Sequence, residues 1–180
     1  MKGSMVSTPA IPSCSNLGFL SVFQETGGYV GGYLVTNAWG RPLEFRLSSA
    51  VQPNKVQQIL YGESLQRYLC GELIGKTLID KTATPVCWVV VDNPLSLDLR
   101  RNIEIPVSFW QALATFDGEK PGLEIQPRLY AHSAFPDDVS PLRERLEALG
   151  TFDLGEPFAR IREAMTEARK MGVTTRSAAA

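Results

Sequence analysis

The sequence contains a single histidine, His132. Any mechanism in which an imidazole activates a serine or cysteine must use that residue. Cysteine is scarce too: Cys14, Cys70 and Cys87 are an odd number without close spacing. Neither a disulfide framework nor a zinc site follows from that pattern. Cys70 and Cys87 sit among apolar residues and read as small buried hydrophobes. Neither sign of charge is in excess, since 18 Lys and Arg stand against 19 Asp and Glu. Such a chain builds no field to hold a polyanion, which disfavours generic nucleic-acid or anionic-membrane binding. No apolar run approaches the roughly 20 residues that span a bilayer. The N-terminal stretch MKGSMVSTPAIPSCSN lacks the apolar core of a signal peptide. Residues 1–16 are therefore expected to be a flexible tail, 17–172 a single domain, 173–180 a disordered tail, and the setting cytoplasmic.

Catalytic signatures are also missing. No G-x-S-x-G elbow occurs around any serine. Gly71-Glu72-Leu73-Ile74-Gly75-Lys76-Thr77 approaches the phosphate-loop pattern, but Cys70 stands where that pattern needs glycine. A phosphate loop also opens a helix after a buried strand, whereas this stretch follows helical spacing. It reads as the end of a helix.

What is present is a glycine-rich, aromatic ribbon from Leu17 to Leu47. Phe19 to Gln24 is apolar on nearly every position, as in a strand covered on both faces. Gly27-Gly28 supplies a turn. Tyr29 to Thr36 carries Gly31-Gly32 at its middle, the mark of a bend or of close backbone approach. The third strand alternates, with Leu43, Phe45 and Leu47 on one face and Glu44, Arg46 and Ser48 on the other.

Spacing turns helical from Val56 to Ile79, with Gly62 dividing two helices and Gly71 and Gly75 ending or kinking the second. Val86 to Val91 is β-branched and unbroken, a buried strand that can lie parallel to the ribbon after a right-handed crossover. Leu95 to Arg101 alternates and predicts a short strand or irregular edge. Ile103 to Phe109 reads as extended, Ser108 to Phe116 as a short helix, and Leu123 to Ala131 as a last strand. Pro141 and Pro157 open two closing helices.

The predicted fold is α+β. A mixed sheet starts with a three-stranded antiparallel meander (about 17–48). A helical crossover (about 54–80), a buried strand (86–91) and a C-terminal helix pair (about 141–171) follow.

That order of elements resembles the start of the ribonuclease H-like fold. The resemblance is one of topology, without matching motifs. It implies acidic residues on the first strand, on the helix and at the end of the fourth strand, clamping two metal ions on a phosphate. Asp92 ends the fourth strand and Glu72 lies in the helical region, but Phe19 to Gln24 carries no carboxylate. Two hard oxygen ligands without a third make a poor cage. An acidic residue before Asn93-Pro94 is also an ordinary turn former.

Glu72, Asp92 and His132 are thus the candidate catalytic residues, and no metal or cofactor is expected. Tyr29, Gly31, Gly32, Tyr33 and Trp39, with Phe158, Ile161 and Met165 of the last helix, form a candidate interaction surface of aromatics beside bare backbone. Trp110 and Phe135 are further large aromatics near turns. The leading expectation is a non-catalytic adaptor that binds another protein within an assembly, with nucleic acid disfavoured by the net charge but left open, and no membrane. The alternatives are a ribonuclease H-like domain, active or degenerate, associated with nucleic acid, and a small-molecule site between the Gly31-Gly32 bend and the helices.

Overall fold

The first strand is apolar along most of its length because it becomes the middle of a sheet. The computed structural model describes residues 14–111, 128–149 and 153–172. In it, β1 (Leu17–Glu25) pairs antiparallel with β2 (Gly28–Thr36) and parallel with β4 (Trp88–Val91). β3 (Pro42–Leu47) lies outside β2. β5 (Val107–Gln111) runs parallel to β4, and β6 (Arg128–Ala131) runs antiparallel to β5. The six strands are ordered β3-β2-β1-β4-β5-β6. An antiparallel meander, a helical crossover and a return parallel to the first strand make an α+β fold of ribonuclease H-like topology.

The period of two along β1 sorts its side chains between two cores. Leu17 and Phe19 face a cluster with Phe158, Ile161 and Met165. Leu20 and Val22 face the opposite cluster, with Leu69, Ile74 and Leu78. The first cluster is covered by α4 (Val139–Leu149) and α5 (Glu156–Lys170). The second is covered by the crossover. That crossover runs through α1 (Lys55–Tyr61), a 3-10 turn (Gly62–Ser64), α2 (Leu65–Arg67), a π-helix (Tyr68–Lys76) and α3 (Thr77–Asp80). Gly62 divides the helices as expected, with φ of 50°. Asn54 and Gln57 cap α1 reciprocally. Yet α1 buries no residue, and Val56, Ile59 and Leu60 are all exposed.

Several expectations need correction. Gly71 and Gly75 do not end a helix but sit inside the π-helix, so no phosphate loop forms there. A Cβ on Gly71 would stand 2.8 Å from the Leu99 amide nitrogen, and one on Gly75 2.9 Å from Leu20. The two glycines thus let this helix press against its neighbours. Leu95 to Arg101 is not a strand but most of a 3-10 helix (Pro94–Arg101), started by the Asn93 side chain accepting from the Leu95 amide. Ser108 to Gln111 is strand rather than helix, because β4 and β6 flank it. Residues 112–127 lie outside the described residues. The last strand is therefore seen only as Arg128–Ala131.

Cys14 and Cys87 form a disulfide, against the expectation of none. Asn16 adds a side-chain bond to the Pro85 carbonyl and accepts from the Cys87 amide. Residues 14–16 are thus tied to the entry of β4, while residues 1–13 and 173–180 lie outside the described residues. No helix among the described residues is long and apolar enough to cross a membrane.

The edge strand is fastened by one carboxylate. Glu44 accepts from the amides of Thr84 (2.9 Å) and Ala83 (3.1 Å) and pairs with Arg46 at 2.7 Å. These donors, the Thr84 amide foremost, hold its carboxyl down at about 2. A depressed folded pKa stabilises above the unfolded value and is lost as pH falls toward the folded one. Glu44→Gln is therefore expected to remove about 1 kcal/mol at neutral pH, a figure reduced for solvent screening. The difference from the unmodified chain should shrink toward pH ~3. Urea midpoints at neutral and acid pH measure this, and a deficit independent of pH would refute it.

Candidate functional site

Asp92 follows directly on β4, where the chain must choose a face. Trp88 and Val90 point to the α5 side, and Val89 and Val91 to the crossover side. Asp92 continues the first series. Leu20 pairs with Val91 across the parallel ladder, which brings Ser21 beside Asp92. The Ser21 hydroxyl donates to Asp92 Oδ2 at 2.8 Å. From α5, the Arg162 guanidinium donates to the same oxygen at 2.6 Å. The Asp92 side chain is only 6% exposed, whereas that of Arg162 is 59% exposed. Burial pushes the Asp92 carboxyl up, although Ser21 and Arg162 pull it down. Asn93 fixes the following turn by donating to the Val22 carbonyl at 2.9 Å.

The arrangement does not suit a pair of divalent cations. Where the resemblance calls for a carboxylate on the first strand, Ser21 offers a neutral hydroxyl that donates. Where a cation would sit against Asp92, Arg162 places a guanidinium. Among the described residues no three His, Cys, Asp or Glu side chains gather as a metal site. No step of metal-assisted cleavage can be derived from these groups.

Glu72 does not join Asp92. It lies on the π-helix, which packs against the opposite face of the sheet, and lines a cleft with Asp98 and Arg101. His132 is buried and spent on both nitrogens. The Ala134 amide donates to Nδ1 at 3.0 Å, which assigns the proton to Nε2, and Nε2 meets Asp98 Oδ1 at 3.2 Å. With neither nitrogen free, the ring orients Asp98 and does not serve as a general base.

The candidate interaction surface is interior at every position except Trp39. Tyr29, Gly31, Gly32 and Tyr33 are buried in β2, and Phe158, Ile161 and Met165 are buried on α5. The ladder runs regularly through the glycine pair and the space beside it is filled, so among the described residues no small-molecule cavity lies there. A Cβ on Gly31 would stand 2.4 Å from Ile74, and one on Gly32 2.6 Å from Ile161. Each glycine thus admits one of the two helical layers. Trp110 stacks on Phe158 with ring centroids 5.5 Å apart, and Arg100 lies 4.1 Å over the Phe135 ring. Trp39, 84% exposed on the β2–β3 turn, is the member that meets solvent.

Sequence reasoning missed Ser21 and Arg162. A serine in an apolar strand and an arginine on an amphipathic helix both have ordinary local explanations. Only the register of β1 against β4 and the docking of α5 bring them to Asp92.

No family model matches the chain, and no curated protein matches it. Among solved structures it is similar to endonuclease V from Bacillus subtilis, with 13% identity, 64% of this chain and 54% of that chain covered, and a TM-score of 0.42. Endonuclease V from Streptomyces avermitilis matches at 14% identity over 68% of this chain and 57% of that chain, with a TM-score of 0.39. Endonuclease V from Ciona intestinalis, solved with a 23mer DNA containing an inosine, matches at 12% identity over 79% and 59%, with a TM-score of 0.33. The chain spans little more than half the length of these structures. All three are endonucleases by name. The adaptor expectation is withdrawn, because the surface that carried it is interior at every position but Trp39.

Proposed function

We propose that this chain is a degenerate ribonuclease H-like domain that associates with nucleic acid and does not cut it through Asp92. The observation that carries this reading is the closed Ser21–Asp92–Arg162 contact at the carboxyl end of β4, beside the middle of β1. The position is the one the topology reserves for phosphate chemistry, while the groups there neutralise one another. In open sheets with parallel strands, ligands meet the carboxyl ends of the strands. Arg162, though paired with Asp92, leaves more than half of its side chain open to solvent at that end. With the net charge at −1, any hold on a polyanion must come from local cations and must weaken steeply with salt.

Fluorescence anisotropy with labelled single-stranded and duplex DNA and RNA, at low salt, tests the proposal. Binding is expected, with no cleavage on adding Mg²⁺ or Mn²⁺. Absence of binding to every strand type would refute the association. Metal-dependent cleavage abolished by Asp92→Asn would refute the degenerate site.

A further inference from the structure

The crossover side of the sheet carries a second site, separate from Asp92. A cleft of about 370 Å³ opens between the 3-10 helix Pro94–Arg101 and the region where α1 passes into the π-helix. That volume lies within the range of small-ligand sites. Three kinds of group line it. Tyr61 and Tyr68 stack on each other, with centroids 4.5 Å apart and planes at 29°. Arg67 and Arg101 reach it from two different elements. Glu72 and Asp98 bring carboxylates.

The arginines are uncommitted. No ion pair or hydrogen bond of the Arg67 or Arg101 side chain is formed among the described residues, although both carboxylates line the same cleft. Asp98, by contrast, is held in place. His132 Nε2 meets its Oδ1, and the Ala134 amide fixes the tautomer that allows this. A buried histidine that positions a partly exposed carboxylate at a cleft wall makes a directed acceptor. A larger cleft of about 650 Å³, between the β1–β2 turn and α1, is lined by glutamines and glutamates without any Lys or Arg. It lacks this division of roles.

We infer that the smaller cleft binds a nucleoside monophosphate unit. Aromatic rings offer a stacking platform for a base, paired arginines a fork for a phosphate, and a fixed carboxylate an acceptor for donors on the base edge. Guanine places adjacent N–H donors on one edge, so it is preferred over uracil. The inference does not rest on the reading of the Asp92 site, which is on the other face of the sheet.

Isothermal titration with GMP, UMP and inorganic phosphate tests it, with a single-stranded G-containing oligonucleotide as a further arm. Saturable GMP binding is expected, weaker for UMP and weakest for phosphate. Arg67→Ala and Arg101→Ala should each weaken GMP about tenfold, the size of one charge-assisted hydrogen bond. Asp98→Asn should reduce the preference for GMP over UMP while leaving phosphate unchanged. The oligonucleotide binding more tightly than GMP, with the same dependence on Arg67 and Arg101, would identify the source as a strand; GMP binding alone would identify a free nucleotide. No saturable GMP binding, or binding unaffected by the arginine variants in chains with unchanged circular dichroism, would overturn the inference. Failure of strand binding with GMP binding intact would sink only the reading of the Asp92 end.

Discussion

Replacing Arg162 with alanine is expected to lower stability by about 2 kcal/mol at neutral pH, with the loss fading in acid. The variant leaves the Asp92 carboxylate buried with only the Ser21 hydroxyl as partner. A buried charge stripped of its counter-ion costs more than the pair contributed. The half-exposed guanidinium keeps this value below that of a fully buried pair. The pH dependence follows from the direction of the Asp92 shift. Its folded carboxyl already lies above the ordinary aspartate value, mainly through burial. A carboxyl with a raised folded pKa holds its proton more tightly in the folded state, so stability rises as pH falls through that value. Loss of Arg162 raises the folded pKa further. The deficit is therefore full above it and disappears once Asp92 is protonated. Urea denaturation at neutral and mildly acid pH reads this directly. In an Asp92→Asn background the same arginine replacement should cost little. An equal, pH-independent loss in both backgrounds would mean that the side chain acts through packing alone.

The second large effect belongs to the glycine pair in β2. Gly31→Val is expected to cost about 3 kcal/mol, or roughly 9 °C in melting temperature for a chain of this size. An added Cβ meets Ile74 at 2.4 Å and Leu78 at 3.1 Å. Ile74 is 1% exposed and has no free space to swing into. Close-packed interiors answer such insertions with strained rotamers or backbone shifts. Gly27 is the control, since a Cβ added there would meet nothing within 4 Å and its φ is not positive. Gly27→Val should stay within about 0.5 kcal/mol of the parent chain. Thermal melts of the two variants settle the matter, and equal losses would refute a packing role for Gly31.

Much of the fold is legible where local pattern and final environment agree. Trp88 to Val91 is uninterrupted because both sheet faces are covered there, although the strand expected from Val86 starts two residues later, and Gly62 breaks the crossover where the helices part. Legibility fails where partners from distant sequence decide. Leu95, Leu97 and Leu99 alternate like a strand, yet Asn93 and Pro94 start a 3-10 helix, and the buried Leu99 packs toward the π-helix. Trp110 suggests an amphipathic helix until β6 arrives beside it. Cys14 sits in a stretch rich in proline and serine, where nothing announces Cys87, 73 residues on. The candidate site divides in the same way. Asp92 is readable as the residue ending a strand. Its closure by Ser21 and Arg162 depends on sheet register and on α5, and neither leaves a local trace.

The central place of β1 has a consequence for synthesis. Its neighbour β2 emerges at once, but Asp92, which meets Ser21 just beyond β4, follows 71 positions later. At ribosomal speeds this delay is about 4 to 14 seconds. Throughout it, one hydrogen-bonding edge of an apolar strand has no partner strand. The nascent meander therefore offers an open template to other chains until the crossover is complete. Pairing over such a separation also slows folding, because the loop must close before any ladder bond rewards it. Recovery on refolding should thus depend on protein concentration well before the finished domain shows any tendency to associate.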